Sequence, residues 1–103
     1  MTDKIAREVA AYLLQINAIK LSPQNPFTWA SGIKSPIYCD NRLILSYPKV
    51  RNHIKNALVK ACKQFGDYEM VAGVATSGIP FASLLSDATE EPMVYVRSKA
   101  KGH

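Results

Sequence analysis

Three groups of residues in this chain have the types and spacing for chemistry on anions. Thr76-Ser77-Gly78 follows the apolar run Met70–Ala75 and offers two hydroxyls and backbone N–H groups at the amino end of a predicted helix, where the helix dipole favours negative charge. The same tripeptide also fits an ordinary strand-to-helix turn with a hydroxyl cap. Arg97-Ser98-Lys99-Ala100-Lys101-Gly102-His103 crowds cations, a glycine and a histidine into the last seven residues. The third group, Phe27, Trp29, Lys34 and Tyr38, lies within Asn25–Arg42. Flat aromatic surface beside a cation suits a planar, negatively charged ligand, although a hairpin that merely covers a core would use the same mixture. Lys20, flanked by Ile19 and Leu21, alternates to the opposite face of an extended segment. There it either faces solvent or enters a pocket bounded by the aromatic stretch.

The elements that must position these groups follow from periodicity. Ile5, Val9, Tyr12, Leu13 and Ile16 form the stripe of an amphipathic helix over Asp3–Ile16 that stops near Asn17. Ala18–Leu21 is extended. Phe27–Trp29 and Pro36–Cys39 read as the two arms of a hairpin-like flap, with Ala30–Ser35 as its turn and Gly32 supplying a positive φ. After Leu43-Ile44-Leu45, Ser46 or Tyr47 caps a long helix with Pro48 in its first turn, Val50, Ile54, Ala57, Leu58 and Ala61 inside and Gly66 past its end. Met70–Ala75 has the pattern of a strand covered on both faces, and Ile79–Asp87 is helical. Met93–Val96 is the next strand. This is a βαβ unit, so its strands are expected to be parallel and its crossover right-handed, and a ligand binds beyond their carboxyl ends. Both the Thr76 loop and the Arg97 segment leave that edge. The unit leaves a strand edge without a neighbour and a sheet face to be covered, so the sequence reads as a fragment or as one half of an assembly, with the last strands of its sheet missing.

At 103 residues and a formal charge of +5, the chain has the size and balance of one small globular domain. Its apolar runs are too short to span a bilayer, and Asp3 and Glu8 stand where a signal segment would be apolar. A cytoplasmic location with no membrane partner is the expectation. Cys39 and Cys62 lack metal or disulfide spacing and read as buried free thiols. His53 has no acidic residue at ligand spacing and reads as a surface or boundary histidine. Lys49, Arg51, Lys55, Lys60 and Lys63 spread over one helix as a solvated face, whereas the final cations are concentrated at one edge.

The residues Ile19-Lys20-Leu21, the run Phe27–Asp40 (FTWASGIKSPIYCD), Gly73–Pro80 (GVATSGIP) and Val96–His103 (VRSKAKGH) together resemble the orotate phosphoribosyltransferase family along essentially the whole chain. The resemblance implies a type I phosphoribosyltransferase fold, an α/β fold with a parallel sheet flanked by helices and an amino-terminal hood. It implies residues 1–45 as helix and hood and 46–103 as the first part of the core, ending inside the catalytic loop. The implied reaction joins orotate to 5-phosphoribosyl 1-pyrophosphate, with magnesium, to give orotidine 5′-monophosphate and pyrophosphate in pyrimidine biosynthesis. By position, Lys20 and the Phe27 region would line the orotate pocket, and Thr76, Ser77 and Gly78 would hold pyrophosphate. Arg97, Lys101 and His103 would begin a mobile loop that reaches a neighbouring subunit's site, which implies a homodimer with shared active sites. Lys101 and His103 are the implied catalytic pair, and no residue is implied as a metal ligand. Ser77 and Ser98 stand where some members have a lysine and a second basic residue. The family's downstream acidic pair and Thr/Gly-rich loop are not in this sequence, so the chain alone is expected not to turn over. The competing expectation is a non-catalytic module on the same fold that binds RNA or a regulatory nucleotide. Against it, the cations sit at a strand end and form no broad stripe, so no nucleic acid is expected.

Overall fold

Helix α1 covers Asp3–Gln15 because its apolar residues recur at helical spacing: Ile5, Val9, Tyr12 and Leu13 are half-buried, and Ile16 just beyond is buried. In the computed structural model, which describes residues 3–99, the helix stops at Asn17, whose φ is 60°. The Asn17 and Ala18 amides return to the carbonyls of Leu14 and Leu13 at 3.1 and 2.9 Å. This is a Schellman ending with asparagine in the left-handed position, and it satisfies carbonyls the helix would otherwise leave open.

Four short strands follow: β1 (Ile19–Leu21), β2 (Phe27–Thr28), β3 (Lys34–Ser35) and β4 (Ile37–Cys39). The expected hairpin is corrected here. β2 pairs antiparallel with β3, Phe27 opposite Ser35 and Thr28 opposite Lys34, while β4 pairs antiparallel with β1, Lys20 opposite Tyr38. Pro36 explains the change of partner, since it has no N–H to continue the β3 ladder. Its carbonyl instead accepts from the Ser22 amide at 2.7 Å, and the Ile37 amide donates to Ser35 Oγ at 3.1 Å. The turn is also shorter than Ala30–Ser35. Gly32 donates to the Trp29 carbonyl and Trp29 to that of Ile33, both at 2.8 Å, with Gly32 at a φ of 89° that glycine adopts without strain.

Asn41–Ser46, which contains the Leu43-Ile44-Leu45 run, forms a 3-10 helix capped by Asp40. Helix α2 (Pro48–Lys63) starts from extended Tyr47, whose carbonyl accepts from the Arg51 amide at 2.8 Å. Pro48 occupies the first position, where no amide is required. Gly66, at a φ of 82°, follows its end. The chain divides inside α2 into two compact units, the first ending at Arg51 and the second beginning at Asn52. In the first unit Ile16, Ala18, Ile44 and Val50 are buried.

The second unit is the βαβ arrangement read from the sequence. β5 (Val71–Val74), α3 (Gly78–Thr89) and β6 (Met93–Val96) follow in order, and β5 and β6 are parallel, Val71 opposite Met93 through Val74 opposite Val96. Val71, Ala82 and Leu85 form its buried core, with Leu58, Val59, Cys62, Tyr68 and Met93 packed around it. Burying the side chain of Val71 or Leu85 stabilises the fold by about 1.5–3 kcal/mol each. Among the described residues, one face of β5 is covered. Val71 and Gly73 are buried, whereas Ala72 and Val74 are exposed, as are Val94 and Val96 on β6. The period-2 pleat gives α3 only one face to cover. Gly73 sets how closely it does so: a Cβ there would lie 2.8 Å from Ala82 Cβ and 2.9 Å from the Gly78 carbonyl oxygen.

The buried-thiol expectation also changes. Both cysteines are free, but Cys39 is exposed and Cys62 half-buried. Every residue of β4 is exposed, and Cys39 Sγ donates to Asn41 Oδ1 at 3.1 Å.

Candidate functional site

In the second unit, two of the anion-type groups leave one edge of the parallel pair. The ladder runs one residue past β5, where the Ala75 amide donates to the Val96 carbonyl at 2.8 Å. The chain then turns through Ala75-Thr76-Ser77, with a cis Ala75–Thr76 peptide bond, straight into α3. The Ile79 amide donates to the Thr76 carbonyl at 3.2 Å. Ser77 already has helical φ and ψ and makes no side-chain capping hydrogen bond. The alternative of a plain hydroxyl cap is therefore not what the loop forms: its hydroxyl is not spent on the helix end. Arg97 follows directly on β6, and the register Val74 opposite Val96 sets it level with Ala75. Its guanidinium carbon stands 5.7 Å from the centroid of the Tyr95 ring. Thr76, Ser77, Arg97, Ser98 and Lys99 are all exposed and Gly78 is half-buried. Hydroxyls, helix amides and a guanidinium at one edge can bind a phosphate-type anion. Lys101 and His103 lie outside the described residues.

Lys20 and Phe27 belong to the first unit. Lys20 is exposed on β1 with Tyr38 as its cross-strand partner. The Phe27 and Tyr38 rings are 5.7 Å apart at 45°, an ordinary tilted aromatic pair. Trp29 joins them through its indole, Nε1 donating to the Ile37 carbonyl at 3.0 Å. Lys34 does not join. It pairs with Thr28, one position off Phe27, which in a pleated ribbon is the opposite face. The cation beside the aromatics is therefore Lys20, through Tyr38.

Asp40 anchors this arrangement. Its carboxylate accepts from Arg42 Nε at 2.9 Å, Arg42 Nη2 at 3.1 Å and the Arg42 amide at 3.2 Å, while its own amide donates to the Ala18 carbonyl at 2.8 Å. The hydrogen bonds from the Arg42 guanidinium hold the Asp40 carboxyl below its usual range, with a smaller contribution from the charge of Lys20.

Sequence reasoning missed Tyr38 as the partner of Lys20, because it paired β4 with the wrong strand. It also missed Tyr95, which the period-2 rule places on the same strand face as Arg97. A concavity of about 410 Å³ in the second unit, between Lys63, Gly66, Tyr68 and Glu91, is elsewhere: Tyr68 and Glu91 precede β5 and β6, at their amino ends. Among the described residues no group of three His, Cys, Asp or Glu side chains could hold a metal ion, and no helix is long and apolar enough to cross a membrane.

The parallel strand–helix–strand unit, with the Thr76 loop opening a helix and Arg97 leaving the neighbouring strand, has the fold of the type I phosphoribosyltransferases. The orotate phosphoribosyltransferase of Aeropyrum pernix superposes on 92% of the chain with a TM-score of 0.76 at 29% identity, and the chain covers 52% of it. By sequence the relatives are orotate phosphoribosyltransferases. That of Listeria monocytogenes serotype 4b is 60% identical over 100 residues, 96% of this chain and 48% of the relative. That of Bacillus mycoides is 58% identical over 98 residues, 94% of this chain and 47% of the relative. The chain spans about half the length of the curated relatives it matches. No family model matches it.

Proposed function

We propose that the protein transfers the 5-phosphoribosyl group from 5-phosphoribosyl 1-pyrophosphate to orotate, giving orotidine 5′-monophosphate and pyrophosphate, in pyrimidine biosynthesis in the cytoplasm. The observation that carries the reading is the 60% identity to an orotate phosphoribosyltransferase over 96% of the chain. In this reading Lys20 and Phe27 select orotate, an aromatic ring stacking under the planar base and an ammonium answering its carboxylate. Thr76, Ser77 and Gly78 receive pyrophosphate through hydroxyls and backbone amides.

Departure of pyrophosphate from the anomeric carbon passes through an oxocarbenium-like state, so cations are needed where negative charge collects on the leaving oxygens. Arg97 offers a rigid fork for two phosphate oxygens, and Lys101 a compact charge on a flexible stem. His103 holds or passes a proton near neutral pH. Magnesium is proposed to arrive on the donor's phosphates, which supply most of its ligands when it binds with them. A homodimer with shared sites completes the reading, in which residues 1–45 serve as hood and 46–103 as the first part of the core.

Calorimetric titration of the chain with orotate, adenine and single-stranded RNA tests this. Binding of orotate in preference to adenine is expected, with little dependence on salt. Steep, sequence-tolerant RNA binding that falls with salt would instead establish a nucleic-acid module. Incubated alone with both substrates and magnesium, the chain is expected to form no sustained orotidine 5′-monophosphate.

A further inference from the structure

Resting on the reading of Lys20 as the cation that answers the orotate carboxylate, we infer that Arg42 is a positioning residue that keeps Lys20 free for it by holding the neighbouring Asp40 carboxylate. The register places that carboxylate within reach. Lys20 stands opposite Tyr38, and the ladder continues to Asp40, whose amide donates to the Ala18 carbonyl at 2.8 Å. Asp40 is extended, with φ −120° and ψ 92°, so two residues beyond Tyr38 its side chain returns to the face that Tyr38 and Lys20 share. Lys20 and Asp40 are then diagonal neighbours, a spacing that a side chain as long as lysine spans. The Lys20 charge accordingly helps to hold the Asp40 carboxyl low.

The two do not pair. Both carboxylate oxygens face Arg42, with Nε donating to Oδ1 at 2.9 Å and Nη2 to Oδ2 at 3.1 Å, the forked contact that a planar guanidinium makes and an ammonium cannot. Among the described residues Lys20 takes part in no ion pair. The Arg42 side chain is largely exposed, so its length serves the ion pair and not a core. It also balances a negative charge that would repel an incoming carboxylate. Without Arg42 the Asp40 carboxylate turns to Lys20, and orotate must displace it. An exposed pair of this kind is worth about a two- to fivefold change in affinity. Lysine offers a single point charge where arginine offers a fork, so it replaces Arg42 at Asp40 only in part.

The test compares the 103-residue wild type with Arg42→Gln, Asp40→Asn and the double variant, by calorimetric titration with orotate and by NMR of the Lys20 side chain without ligand. Arg42→Met takes the place of Arg42→Gln if the latter fails to fold. Asparagine at position 40 keeps a side-chain oxygen for the cap at the Arg42 amide. Expected in Arg42→Gln are a Kd for orotate about two- to fivefold weaker and a shift of the Lys20 ε-methylene resonances. Both effects should vanish in the double variant, and Asp40→Asn alone should bind orotate no less tightly than the wild type. Resonances of Ile44 and Val50, buried in the same unit, should stay in place throughout. An unchanged Kd in Arg42→Gln overturns the positioning role while leaving the orotate site intact. Weakening that persists in the double variant, or displaced Ile44 and Val50 resonances, overturns it as well, since Arg42 then acts without Asp40. A wild type that does not bind orotate overturns the reading of Lys20, and the inference with it.

Discussion

The two ribbons of the first unit and the parallel pair of the second hold their shapes by different means. β2–β3 and β1–β4 are two or three residues long, too short for a ladder alone to be stable in water. They are tied by contacts from side chain to backbone: Trp29 to the Ile37 carbonyl, Ser35 to the Ile37 amide and Asp40 to Arg42. The parallel pair depends instead on packing: α3 seats on one face at a distance set by a glycine, with Leu58, Val59 and Cys62 of α2 packed against the same core. In the ribbons the backbone conformation is the constraint; in the βαβ unit it is space. The same substitution should therefore fail for opposite reasons in the two places.

Gly73→Ala is the stronger break. Its Cβ would meet Ala82 Cβ at 2.8 Å and the Gly78 carbonyl at 2.9 Å, so α3 must move off the sheet. A loss of about 1–3 kcal/mol in urea unfolding is expected, as for other overpacked sites, with larger residues worse. Gly32→Ala meets nothing within 4 Å but sits at a φ of 89°. Its expected loss is about 1 kcal/mol, seen as faster amide exchange over residues 27–35 with little change at Val71 or Leu85. Asparagine sharpens the contrast. It tolerates left-handed backbone, so Gly32→Asn should recover part of the loss, whereas Gly73→Asn should be worse than alanine. Equal behaviour of asparagine at the two positions would remove the distinction.

The smallest effect concerns Asp40. Because the Arg42 guanidinium lowers its carboxyl pKa in the folded chain, its contribution to stability is fully present above the unfolded value near 3.9 and is lost as pH falls through the folded one. Arg42→Gln should raise the Asp40 titration midpoint, read by carboxyl NMR, and flatten the acid limb of the stability profile. A midpoint that does not move would show that Lys20 or local solvation sets it.

Much of this was legible from residues whose constraint is local. The α1 stripe, the stop at Asn17, the positive φ at Gly32, the end of α2 before Gly66 and its Pro48 start all depend on neighbours within a turn. The strand–helix–strand order of the second unit also came through, because an apolar run, a helical period and a second apolar run admit one economical arrangement. The Thr76 loop and Arg97 were brought to one edge by that same topology. What failed was the choice of partner between distant segments. β4 had to choose between β2 and β1, and the missing amide of Pro36 decided it. Cys39 went with that choice, since an exposed ribbon has no interior for a thiol.

One contact in the first unit also makes that unit observable by itself. Trp29 is the only tryptophan in the chain, and its indole N–H bridges the β2–β3 ribbon to the backbone of β4. Excited at the red edge of its absorption, where tyrosine is silent, the chain's emission comes from that junction alone. The colour of the light then reports whether the two ribbons are joined, and the parallel unit contributes nothing to the signal.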